Sequence, residues 1–322
     1  DVNGFVADEQ HISFIANYNH YQRERDTYIK DMTSLERTPS PNPGAQQLDT
    51  YTSAMSRATY SYGSKERRIS FQLGYDINLE TAEGYRVEDT TQFQGDFAGF
   101  ASMELRPVRT LTLRPALRVA YNTRYGAPVV PSFHLKWQFH EDWALRASYA
   151  RGFRAPSLKE QFFFFVDVNH NVQGNSDLRA ETAHNINASV DWQWRKGNWG
   201  LQADAGVFYN HINDFIELAL TDPETTLYQY VNLSTFRTHG GQVRGTLRYK
   251  GLQLSVGSSL IGRYNIAADE NPDVQPYYYA PDVRLNPQYT IRKWGLSFAA
   301  FYNYTGRTLG VVGLGAIGRA IA

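Results

Sequence analysis

The chain has 322 residues, no cysteine, and 32 basic against 32 acidic side chains, so its formal net charge is zero. The missing cysteines exclude a disulfide framework and thiolate metal sites, and the balanced charge leaves no electrostatic footprint for nucleic acid. With 22 Tyr, 18 Phe and 6 Trp the sequence is 14% aromatic, a composition that favours strands over helices.

The alternation begins to show clearly at Ile69. Ile69, Phe71, Leu73, Tyr75, Ile77 and Leu79 alternate with Ser70, Gln72, Gly74, Asp76 and Asn78, which predicts a strand with one apolar and one polar face. Leu111, Leu113, Leu117, Val119 and Tyr121 follow the same period, as do Phe133, Leu135, Trp137 and Phe139. Ile186, Ala188, Val190, Trp192 and Trp194 repeat it, and Leu296, Phe298, Ala300 and Tyr302 carry it near the far end. No segment shows a helical period, and no run of about 18 apolar residues could form a transmembrane helix. The pattern predicts roughly thirteen strands of about 10–15 residues, longer than those of ordinary globular sheets.

The connections alternate in length. Short turns are expected at 63–66, 106–109, 140–142, 195–198, 250–251 and 292–293, and longer links at 22–47, 81–94, 124–129, 152–183, 219–226 and 267–280. Tight turns at one end and long loops at the other describe an up-and-down barrel in an outer membrane. Trp137, Trp143, Tyr149, Trp192, Trp194, Trp199, Tyr249 and Trp294 are expected to form an aromatic girdle beside the short turns. Arg114, Arg118, Lys136, Arg146, Arg244 and Arg248 fall on the polar faces, where a watery lumen could hydrate them but a dry core could not. A soluble antiparallel sandwich or barrel with binding or surface function is the alternative. Catalysis has no candidate: no Ser-His-Asp or Cys-His set recurs at a shared site, and Glu141-Asp142 and Asp269-Glu270 are charges in turns and loops.

A family resemblance enters at Arg151-Gly152-Phe153-Arg154-Ala155-Pro156-Ser157-Leu158-Lys159-Glu160 and continues through Gly174-Asn175-Ser176-Asp177-Leu178-Arg179-Ala180-Glu181-Thr182. Asn210 to Ile216, the stretch from Tyr230-Val231-Asn232 to Gly240-Gly241, and Tyr302 to Arg307 add to it. Over residues 10–307 the chain resembles the TonB-dependent receptors of the Gram-negative outer membrane. The resemblance implies an all-β, antiparallel up-and-down transmembrane barrel of about 22 strands with a plug inside, of which residues 1–308 hold only part and no plug. It also implies import of a large scarce nutrient, an iron chelate, haem or cobalamin, with energy relayed from TonB through the plug. Outer-membrane lipid, the TonB complex and the nutrient at the outer loops are the implied partners.

The ligand residues expected from the resemblance and from loop position are Phe153, Arg154, Pro156, Asn175 and Asp177 in the two boxes, and the aromatic run Tyr277, Tyr278 and Tyr279, which could stack on a flat ligand. His170 lies between Phe153-Arg154-Ala155-Pro156 and Asn175-Ser176-Asp177-Leu178, the bracket that haem receptors of the family use, although Ser176 stands where they have proline. His170 is then either an axial ligand to the iron of transported haem or a surface residue. Arg154 and Glu160 are alternatively loop supports, holding the loop base to neighbouring strands. No resident cofactor is expected.

The last residues depart from this pattern. Gly313, Gly315 and Gly318 in 309–322 resemble the opening of a Rossmann domain in the 2-hydroxyacid dehydrogenases, where such glycines bring pyrophosphate to a helix N-terminus. The rest of the unit, including an acid about 20 residues on, does not follow, so 309–322 is expected to be a foreign or truncated segment rather than an NAD-binding domain.

Overall fold

The computed structural model describes residues 2–42, 44–64, 66–166, 170–269 and 271–306. The Rossmann-like glycines of 309–322 lie outside these residues. Strands β1 (Val2–Ala7), β2 (Gln10–Asp26), β3 (Tyr28–Lys30), β4 (Arg37–Pro39), β5 (Gln46–Tyr62), β6 (Ile69–Glu83), β7 (Thr91–Val108), β8 (Leu111–Asn122), β9 (Val130–His140) and β10 (Trp143–Arg154) form the first half. A one-turn helix α1 (Leu158–Phe162) and the short strands β11 (Phe164–Val166) and β12 (Asn171–Gln173) occupy the longest link. Then come β13 (Glu181–Lys196), β14 (Trp199–Asp222), β15 (Leu227–Tyr249), β16 (Leu252–Tyr264), β17 (Tyr277–Ile291), β18 (Leu296–Ala299) and β19 (Tyr302–Thr305). Every long strand pairs antiparallel with the next along the chain, from β2 with β5 to β16 with β17.

Side-chain period two then sorts the chemistry onto two faces. On β6, Ile69 and Leu73 are 55% and 47% exposed, whereas Asp76 on the opposite face is 4% exposed. The same outer parity holds Leu117, Val119, Val207, Val243, Val256 and Leu260, all exposed. No second layer covers this face among the described residues, since the only other sheet is the β3–β4 hairpin. In water so large an apolar band would be an aggregation surface; in lipid it is the fitting one. The sandwich alternative therefore fails for want of a partner sheet.

The inner face is charged and cross-linked. Asp76 accepts from Arg57 at 2.6 Å and lies 3.5 Å from Arg118. Glu104 bridges Arg106 and Arg114, and Arg146 meets Asp191 at 2.7 Å. Among the described residues no ladder joins β1 to β18 or β19, so the sheet is a partial barrel. An open edge in lipid leaves backbone groups unsatisfied at several kcal/mol each.

Several expectations need correction. Links 22–47 and 219–226 are shorter than expected, because β2 and β5 run on to Asp26 and from Gln46, and because β14 and β15 have 24 and 23 residues. Above the membrane a strand needs no apolar outer face, so the alternation that reveals it stops while the ladder continues. Helical structure is present at α1, one turn made by a capping box. The girdle at the short turns contains Trp199 stacked on Tyr249 with centroids 4.1 Å apart, and Trp143 beside Trp192. Tyr149 does not belong to it: it lies toward the long-loop end, hydroxyl 2.9 Å from His184 Nδ1.

Candidate functional site

The long loops gather at one end, where α1 and the segments beside it, 155–166 and 170–180, pack on the inner side against Ala82, Val87 and Gln94. Ser157 opens α1: its hydroxyl accepts the Glu160 N–H while the Glu160 carboxylate accepts the Ser157 N–H at 2.7 Å. Such a reciprocal cap satisfies two otherwise orphaned donors. Arg154, at the end of β10, is held on both sides. It donates to Glu181 of β13 at 2.8 and 2.6 Å and to Glu160 at 3.1 and 2.9 Å, and Glu181 also accepts the Ile216 N–H of β14 at 2.8 Å. Burial acts to raise the Glu160 pKa, but the Ser157 N–H and the Arg154 guanidinium outweigh it and hold the carboxyl below its usual range.

Beneath α1 lies a buried amide network. Gln161, 2% exposed, donates to Gln94 Oε1 at 2.9 Å and to the Pro156 carbonyl at 2.8 Å, and accepts from the Tyr125 hydroxyl at 2.9 Å. Gln94 donates to the same Pro156 carbonyl at 3.1 Å. Burial pushes the Tyr125 phenol up. Farther along, Asn175 donates to the Tyr230 carbonyl at 2.9 Å and accepts from the Asp177 N–H at 2.9 Å, while Asn232 of β15 bonds both main-chain polar groups of Arg179. Gly174 passes so close to α1 that a Cβ there would sit 2.5 Å from the Gln161 carbonyl.

The expected ligand residues are thus placed in three different settings. Arg154, Pro156 and Asn175 are engaged inside the folded loop, and Asp177 is exposed beside Asn175. Phe153 pairs with Thr182 on the outer parity of β10 and β13. His170 is exposed, its ring centroid 4.8 Å from that of Phe165. Tyr277 and Tyr279 share the outer face with Leu285 and Tyr289, and pack with His239 at 4.5 and 5.6 Å. Tyr278 has the inner parity and accepts from Asn265 at 3.0 Å. Loop 155–180 meets β15 from Tyr228 to Asn232, whereas the tyrosines lie level with Arg237 and His239, about 15–35 Å farther along the strand at ~3.3 Å per residue; Phe153, level with Thr235, is nearer to them.

A basic pocket escaped the sequence reading. Arg25, Tyr85, Arg86 and Phe164 line a cavity of about 320 Å³ at the long-loop end. Arg86 is 8% exposed and stacks 4.5 Å over the Phe165 ring. Burial first, then the nearby charges of Arg23 and Arg25, lower its pKa. Deeper in the lumen a trough of about 860 Å³ is walled by Arg106, Arg109, Arg114, Lys136 and Arg146, with Glu104 its one acidic lining residue. Among the described residues no cluster of three or more metal-ligating side chains occurs.

The family profile described as TonB dependent receptor-like, beta-barrel, matches residues 4–315. The chain belongs to the TonB-dependent receptors. This receptor chain is 28% identical over 155 residues to the iron-regulated outer membrane virulence protein of Vibrio cholerae, a match covering 47% of this chain and 23% of that protein. It is 33% identical over 82 residues to the hemoglobin-haptoglobin utilization protein B of Neisseria meningitidis, covering 26% and 10%. Among solved structures, the siderophore receptor PirA from Pseudomonas aeruginosa superposes with a TM-score of 0.58 at 16% identity, covering 94% of this chain and 60% of that one. The FrpB iron transporter from Neisseria meningitidis gives 0.64 at 15% identity, covering 96% and 51%. The receptor chain therefore spans about a quarter or less of the curated relatives and about half of the solved structures. Its family is one of receptors, not enzymes, and its place is the Gram-negative outer membrane.

Proposed function

We propose that this chain is part of the barrel of a receptor that imports an anionic iron chelate across the outer membrane, with energy supplied by TonB through a plug. The observation that carries the reading is the pair Arg25 and Arg86 on a pocket walled by Tyr85 and Phe164 at the long-loop end, with Arg23 two residues before Arg25 on the same face of β2. Three guanidinium groups close to one buried carboxylate, that of Asp49, which lies opposite Arg23 and accepts the Arg86 N–H at 3.5 Å, leave a net positive charge suited to a ligand of net negative charge. The basic trough below it would keep the same ligand favoured on its way down. Phe164 and Tyr85, whose rings are 5.9 Å apart, supply apolar faces for an aromatic chelator.

The relatives named for haemoglobin use favour a second reading, in which haem is the cargo and the exposed His170 beside Phe165 offers one axial nitrogen. Titration of the outer-membrane protein separates the two. On the anionic-chelate reading, Arg86→Gln weakens binding of a ferric tricatecholate by about 10–100-fold, the equivalent of one lost charge-assisted pair, and leaves a neutral ferric chelate unaffected. Equal loss for both, or none for either, contradicts it. On the haem reading, His170→Ala changes the Soret band of the haem-loaded protein; an unchanged band removes His170. A foreign origin for 309–322 is a separate proposal, which a receptor-type continuation past Arg307 in peptide mapping of the mature protein would contradict.

A further inference from the structure

The short-turn end of the barrel carries cations that ligand capture does not use. Three consecutive hairpins reverse there through Arg195-Lys196-Gly197-Asn198, Lys250-Gly251 and Arg292-Lys293-Trp294-Gly295. They join β13 to β14, β15 to β16 and β17 to β18, so each lies two strands from the next, ~9–10 Å at the spacing of a sheet. Gly197, Lys250 and Gly295 have positive φ of 57°, 51° and 64°, tight reversals that end the strands at one level. Arg195, Lys196, Lys250, Arg292 and Lys293 are all exposed.

Elsewhere at this end acids accompany the bases: Glu9 pairs with Arg67 and Glu104 with Arg106, and Glu141 and Asp142 share a turn. Around the three hairpins the balance is lost. Segments 192–202, 245–255 and 286–303 hold no Asp or Glu, and none of the five cations makes an ion pair among the described residues. Five positive charges thus stand along ~19 Å of rim without an internal counter-charge.

Directly behind the turns the lipid-facing side carries a row of rings. Lys196 stands opposite Trp199, Trp199 opposite Tyr249, Tyr249 opposite Leu252, Leu252 opposite Tyr289, and Tyr289 opposite Phe298. Trp199, Tyr289 and Phe298 are exposed at 46%, 52% and 60%, and the Lys250 ammonium lies 5.3 Å over the Tyr249 ring. Aromatic rings at this level sit where acyl chains meet headgroups. The cations are therefore at the headgroup depth of the periplasmic leaflet, where their stems can lie along the rings and their charges stay in water. Arg195 has the inner parity and adds its charge from the lumen side. A basic cluster of this size at a bilayer surface attracts anionic lipid, whose phosphate accepts charge-assisted hydrogen bonds from ammonium and guanidinium groups. A zwitterionic headgroup, whose own ammonium cancels its phosphate, gains little.

We propose that these three hairpins bind anionic phospholipid of the periplasmic leaflet, its phosphodiester held by Lys196, Lys250, Arg292 and Lys293 and its acyl chains laid along the row of rings. The inference rests on the outer-membrane location and not on which nutrient is carried. The test is native mass spectrometry of the mature outer-membrane protein in mild detergent, offered phosphatidylglycerol and phosphatidylethanolamine in equal amounts. The parent is expected to favour phosphatidylglycerol by at least about tenfold, since each cation near an anionic surface contributes about fivefold, and the preference is expected to shrink as salt rises. Lys196→Gln/Lys250→Gln/Lys293→Gln is expected to bind the two lipids alike. Arg67→Gln, in a turn whose charges are offset, is expected to keep the parent preference. Equal binding of the two lipids by the parent, an unchanged preference in the triple variant, or the same loss in Arg67→Gln would each overturn the proposal. Displacement of phosphatidylglycerol by a soluble oligoglutamate peptide at micromolar level would assign the hairpins to an acidic protein segment and overturn it as well. Should the triple variant fail to assemble, Arg292→Gln/Lys293→Gln in the third hairpin alone is read by the same criteria, with at least about a fivefold loss of preference expected.

Discussion

At the scale of single residues, the two sequence boxes act on the loop itself. Arg154 ties β10 to β13 and to α1 through two carboxylates, and Gln161 fills its bonding capacity within a buried network. Replacing Gln161 with Leu leaves the Tyr125 hydroxyl and the Gln94 amide short of a partner, at about 1–3 kcal/mol. The expected outcome is faster amide exchange at 155–175 with the strands unchanged; unaltered exchange contradicts the assignment. The clamp has a pH signature as well. The Glu160 carboxyl is held below its unfolded value of 4.5, so its contribution is complete above that pH and is lost as pH falls through the lower folded value. Protease sensitivity of loop 155–180 should therefore stay constant from neutrality to about pH 5 and rise only in stronger acid. A rise between pH 7 and 5 would point to a histidine instead. Arg154, Pro156 and Asn175 stood out in the sequence because their spacing is particular. The partners Gln94, Tyr125 and Asn232 did not, since an amide or phenol carries no sign of burial until the fold brings it in.

At the scale of elements, alternation was readable wherever one face meets lipid, as along Ile69 to Leu79, and unreadable above it. β14 and β15 continue past the ends of their neighbours, which stop at Thr182↔Asn213 and Thr238↔Arg263, and the protruding hairpin carries the parallel pairing with β12. That hairpin is thus the post on which loop 155–180 rests. Shortening it by removal of 221–228 is expected to free the loop, seen as new proteolytic sites in 163–180, while heat resistance of the barrel stays near the parent value. Loss of barrel assembly would show that the hairpin is part of the wall rather than a post on it.

At the scale of the molecule, the two-faced sheet decides the account. Composition and period gave the outer-membrane class because the outer apolar band and the inner charges repeat on every long strand. The basic pocket stayed hidden because Arg25 and Arg86 come from the end of β2 and from a loop some 60 residues on, and only the register of β2, β5 and β6 draws them together. The absence of cysteine permits a direct measurement: single cysteines placed at each position from 69 to 79 of β6 and labelled in intact outer membranes with a charged, membrane-impermeant maleimide. The predicted result is that 70, 72 and 78 react from the watery lumen, that 74 and 76 are shielded by the Ala58 carbonyl and by the Arg57 and Arg118 side chains, and that 69, 71, 73, 75, 77 and 79 are protected by lipid. Labelling of the odd positions, or no labelling at 70, 72 and 78, would contradict a strand that separates lipid from water.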